Sequence, residues 1–89
     1  MKRMTIKTDT GITVMDSDLS EAFCRLAAYE DIYDELAGNT LAIPLELEKL
    51  KAEGKEKTVR YKEMFGQKLI DTRIKALFER HGISFDDHD

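Results

Sequence analysis

Hydrophobic positions change their period along the chain, and each change marks an element. Residues 4–14 read Met-Thr-Ile-Lys-Thr-Asp-Thr-Gly-Ile-Thr-Val. Two β-branched runs flank Asp9-Thr10-Gly11, where glycine can supply the positive φ of a tight turn, so a β-hairpin is predicted over about 4–14. From Leu19 onward the period lengthens. Ala22, Phe23, Leu26, Ala27, Tyr29, Tyr33, Leu36 and Ala37 share one broad face at about 100° per residue. Asp16-Ser17-Asp18 offers acceptors for the free amides of a helix start, and Gly38-Asn39 offers a stop, which predicts a helix over about 18–37. Glu30 falls inside this apolar stripe and is expected at its rim, stem buried and carboxylate in water. Pro44 suits a first helical position, so a short helix over about 44–53 follows, closed by Gly54.

The stretch from Thr58 to His81 favours helix throughout, yet its apolar residues divide. Tyr61, Met64, Phe65 and Leu69 lie on one side, and Ile70, Ile74, Leu77 and Phe78 lie roughly opposite. Two helices, about 58–69 and 72–81, would bring both sets to one core, with Asp71 capping the second and Gly82 ending it. The alternative is one unbroken helix clasped inside an oligomer. Ile83 and Phe85 are expected to fold back on the core. The fold class is thus mainly α (α+β): a short N-terminal hairpin and three or four helices in a single domain over 1–85, completed by oligomerisation, with an acidic tail over 86–89.

Size sharpens the oligomer expectation. Eighty-nine residues, 42% of them hydrophobic and none of them Trp, supply one modest core, and small domains often complete such a core by association. The chain is 36% charged with a net charge of −4, and the charge is partitioned. Residues 16–48 hold nine acids against Arg25, residues 49–82 hold ten basic side chains against five acidic ones, and Asp86, Asp87 and Asp89 close the sequence. No stretch reaches the apolar length of a membrane span, and the first residues lack the apolar run of a signal peptide, so a cytoplasmic protein is expected. The single Cys24 removes every internal disulfide and every cysteine-based zinc motif.

Candidate chemistry follows from these side chains. Arg60, Tyr61, Lys62, Lys68, Arg73, Lys75 and Arg80 interleave basic groups with an aromatic, a pattern suited to phosphate contact and stacking. Their partner would be a host protein or a nucleotide. DNA is disfavoured by the negative total charge, although two short helices over 58–81 would allow a helix-turn-helix regulator. Glu30, Asp31, Asp34 and Glu35 form an acidic face suited to a basic groove. Cys24 has only His81 and His88 as bases, and Asp86-Asp87-His88-Asp89 is a poor metal site at a chain end. No phosphate-binding glycine loop occurs; Gly66, inside a predicted helix, suits close helix approach. No catalytic residue, metal or cofactor is therefore expected.

Arg25-Leu26-Ala27-Ala28-Tyr29-Glu30-Asp31 resembles a helix segment recurring in small proteins of bacteriophages and prophages of Gram-positive bacteria. In those proteins Thr-Gly-Leu-Thr-Pro-Glu-Glu usually follows, whereas here the chain continues Ile32-Tyr33-Asp34-Glu35-Leu36. The resemblance implies a phage accessory protein of the host cytoplasm. The function expected is non-enzymatic: binding that inhibits or sequesters a host component, such as one of antiviral defence in an anti-CRISPR-like or nucleotide-sequestering manner. A small DNA-binding regulator and a structural or assembly module are the alternatives.

Overall fold

The computed structural model describes residues 1–85; the acidic tail and His88 lie outside the described residues. The order is β1 (Thr5–Thr8), β2 (Gly11–Val14), a 3-10 turn (Asp16–Asp18), α1 (Leu19–Ala52) and α2 (Val59–Arg80). The protein is mainly helical with an N-terminal hairpin. It divides into two compact units, Met1–Tyr33 and the part beginning at Asp34.

In the first unit the antiparallel strands pair Thr5 with Val14 and Thr8 with Gly11, leaving Asp9-Thr10 as the two-residue turn. Gly11 has φ +146°, a value that side-chain-bearing residues rarely adopt, so glycine is needed beside the turn as its sequence position suggests. The helix start also agrees, with one difference. The 3-10 turn is closed by Asp18 N–H donating to the Met15 carbonyl at 2.8 Å, and no side chain caps this turn.

Helix α1 corrects the expected pair of helices over 18–37 and 44–53. It runs unbroken for 34 residues, through Gly38-Asn39 and with Pro44 inside it. The reason lies in a heptad repeat. Leu19, Ala22, Leu26, Tyr29, Tyr33, Leu36, Thr40, Ile43, Leu47 and Leu50 alternate three- and four-residue steps without a slip, which only a continuous helix can hold on one face. Gly38 and Pro44 stand outside that seam. Burying its second half outweighs their propensity cost of about 1 and 3 kcal/mol.

In the second unit α1 from Asp34 and α2 form a helical hairpin. Leu36, Leu47 and Leu50 are its buried apolar residues. Both helices end on a left-handed glycine with the same pair of bonds. Lys55 N–H donates to the Leu50 carbonyl and Gly54 N–H to Lys51; Ile83 N–H donates to Phe78 and Gly82 N–H to Glu79. Gly54 has φ +72° and Gly82 φ +87°, so both predicted stops are met by the glycine expected there. Thr58 opens α2, its hydroxyl accepting from Tyr61 N–H at 3.2 Å. Phe85 folds back edge-on to Phe78 at 5.9 Å, whereas Ile83 stays 41% exposed.

The predicted break at 70–72 is absent: Val59–Arg80 is one helix. Asp71 caps nothing and is instead buried in mid-helix. A break would bring both apolar sets inward, but the chain keeps its helical hydrogen bonds and leaves members of both sets outside, Phe65 and Leu69 of the first at 44% and 55% exposed. The inward seam of α2 is Tyr61, Met64, Lys68, Asp71, Lys75 and Phe78, again in heptad steps. Ile70, Ile74 and Leu77 point elsewhere and are 53%, 36% and 46% exposed.

In the connection between the helices, Lys55 Nζ meets Glu53 Oε2 at 3.0 Å. This hydrogen bond and the Lys55 charge hold the Glu53 carboxyl below its ordinary value. A carboxyl depressed in the folded state adds stability above its unfolded value, lost as pH falls through the folded one. In an NMR titration Lys55→Ala is expected to move the Glu53 midpoint up toward the ordinary carboxylate range; an unmoved midpoint would remove this pairing.

Candidate functional site

Polar groups in the middle of a helix seam cannot pack as leucines do, and the second unit is hollow where they meet. Asn39, Thr40, Ile43 and Pro44 of α1 and Lys68, Asp71, Thr72 and Lys75 of α2 line a cavity of about 190 Å³. Pro44 has no N–H, so the Thr40 carbonyl one turn earlier loses its helical donor. The Thr40 hydroxyl donates to the Ala37 carbonyl at 2.8 Å and that of Thr72 to Lys68 at 2.8 Å, so each offers the cavity only lone pairs. Asp71 is 4% exposed. Its Oδ1 accepts from Gln67 Nε2 at 2.8 Å, while Oδ2 is buried with no partner among the described residues. A carboxylate oxygen so placed is costly unless a cation or donor compensates it. Lys68 and Lys75 line the same cavity, and the Lys75 ammonium also lies 5.9 Å from the Phe85 ring centre.

A second, apolar hollow of about 580 Å³ belongs to the first unit. Met1, Met4, Val14, Leu19, Phe23 and Leu26 are among its walls. Arg25 ties its edge, donating to the Lys2 carbonyl and meeting Glu21 Oε1 at 3.4 Å. The Tyr29 hydroxyl lies 3.8 Å from Met1 Sδ.

The seven basic and aromatic candidates do not form one patch. Lys68 and Lys75 meet at the polar cavity. Arg60 turns to Glu46 Oε1 at 3.4 Å, joining the two helices of the hairpin. Tyr61 is half-buried and stacks on Phe65 with ring centres 6.4 Å apart. Lys62, Arg73 and Arg80 are exposed along a separate flank of α2. On α1, Glu30, Asp31, Asp34 and Glu35 are all exposed, and as i, i+1, i+4 and i+5 positions they fall within an arc of roughly 140° on one side of the helix. Glu30 is in solvent and enters no ion pair among the described residues.

Asp71, Asn39, Thr40 and Thr72 were not marked by residue type alone. The signal that finds Asp71 is its place in the 61-64-68-71-75-78 repeat, where a charged side chain interrupts an inward seam. Cys24 is exposed in the first unit, while His81 caps α2 in the second. Among the described residues no three His, Cys, Asp or Glu side chains are grouped to hold a metal ion, and no helix is long and apolar enough to cross a membrane.

Comparison with family models, curated proteins and solved structures finds no match to this chain.

Proposed function

We propose that the protein is a non-enzymatic binding protein that works as a homo-oligomer, a phage accessory whose assembled surface inhibits or sequesters a host component. One observation carries this reading: the apolar side chains are mostly outside. Leu36, Leu47 and Leu50 are buried, while Phe23, Leu26, Leu41, Leu45, Val59 and Ile70 are each more than half exposed. Scattered surface hydrophobes need no explanation, but rows of them along helices mark surfaces that meet protein. The phage origin is supported by the Arg25–Asp31 segment.

An unbroken α2 provides no turn for a helix-turn-helix, so the regulator alternative loses the two-helix geometry that motivated it. Static light scattering on the full chain is expected to give an integral multiple of the 10.2 kDa chain mass. An affinity capture from Gram-positive host lysate, repeated with the purified captured protein, is then expected to give saturable binding by the oligomer. A monomer at tens of micromolar, or substrate turnover lost on replacing Cys24, would overturn the reading.

A further inference from the structure

Helix α2 carries a second heptad seam facing away from α1: Val59, Glu63, Gly66, Ile70, Arg73 and Leu77. Val59, Ile70 and Leu77 are 70%, 53% and 46% exposed, and Leu69 and Ile74 flank them at 55% and 36%. Glu63 and Arg73 are exposed and enter no ion pair among the described residues. Within one chain Gly66 has no evident purpose. A Cβ there would meet nothing within 4 Å, while glycine in a helix interior costs about 1 kcal/mol relative to Ala.

Read backwards about Lys68, this seam is its own complement. Val59 falls opposite Leu77, Glu63 opposite Arg73, and Gly66 opposite Ile70. We propose that two copies of the chain pair antiparallel along this outer face of α2, about a two-fold axis that crosses that face at the level of Lys68. In that register the two Glu63–Arg73 pairs form across the interface, and each Ile70 fills the space left by the partner subunit's Gly66. The two-fold makes the surface isologous, so the same three complementary contacts occur twice. A parallel pairing sets Glu63 on Glu63, Arg73 on Arg73 and Gly66 on Gly66, giving repulsion and a gap. Charge and volume therefore select both the occupant, a second copy, and its direction. The inference rests on the homo-oligomer reading above and adds its surface and register.

Sedimentation equilibrium on the full chain tests it. The unaltered protein is expected to contain a dimer. Gly66→Leu, whose Cβ would meet nothing within 4 Å in its own chain, is expected to dissociate that dimer with undiminished helical circular dichroism. Glu63→Arg and Arg73→Glu are each expected to weaken association by about tenfold or more, and the double exchange to restore it. On a Cys24→Ser background, a mixture of Val59→Cys and Leu77→Cys chains is expected to cross-link on oxidation, while neither variant links to itself, because like positions lie about 27 Å apart along an antiparallel pair. An unaltered protein that stays monomeric overturns both this proposal and the homo-oligomer reading. An oligomer indifferent to Gly66→Leu and to the charge exchange, or a Val59→Cys variant that links to itself, overturns the register and leaves the homo-oligomer reading standing.

Discussion

Leu50→Ala is expected to cost about 2–5 kcal/mol of unfolding free energy, read as a lower urea midpoint at unchanged slope. The size follows from how little else holds the helical hairpin. Leu50 is 5% exposed and shares the apolar interior with Leu36 and Leu47 at 5% and 6%, so truncating it removes a large part of the buried hydrocarbon and leaves a cavity beside the other two. Domains of this size have only a few kcal/mol in total, and the variant is expected to be largely unfolded at 37 °C. Leu45→Ala is the control. It removes the same atoms from a residue 68% exposed on the same helix and is expected to change stability by less than about 0.5 kcal/mol. Equal losses at the two positions would mean that Leu45, not only Leu50, is withdrawn from water in solution.

Pro44→Ala is expected to act in the opposite direction, stabilising the protein by roughly 1–3 kcal/mol in the same urea experiment. Proline in a helix interior removes a donor and presses its ring on the preceding turn. Alanine returns an N–H to the Thr40 carbonyl and relieves that contact, and its cost is the ring's packing at the cavity wall, where Pro44 is half-buried. Destabilisation by about 1 kcal/mol or more would sink this account and show that the ring's contacts outweigh the helix penalty.

These two sites also show where the amino-acid pattern can be read locally and where it cannot. The hairpin, the start of α1 beside Asp18 and both left-handed glycine stops depend on a few adjacent residues, and each lies where the sequence places it. The passage through Gly38 and Pro44 depends on residues far outside that stretch. Taken turn by turn, Gly-Asn followed by Ile-Pro is a stop and a restart; taken as a heptad from Leu19 to Leu50, Gly38 and Pro44 fall off the seam and the helix continues. In α2 the two apolar sets were legible, and so was the choice they force between a break and an outside partner. Residue type gave no hint of the outcome, because Asp71 suits a cap as well as a buried seam position. For the basic candidates, type located the helix but not the grouping. Only the inward seam places Lys68 and Lys75 with Asp71 and separates them from Lys62, Arg73 and Arg80.

The sparse interior has a thermal consequence. Heat-capacity increments on unfolding arise from newly wetted hydrocarbon, ordinarily about 12–15 cal/mol/K per residue. In one chain with Leu36, Leu47 and Leu50 as its buried leucines, that increment should be smaller. Calorimetry at high dilution should therefore record a shallow, broad melt, with a stability curve flatter across temperature than that of a well-filled domain of equal length.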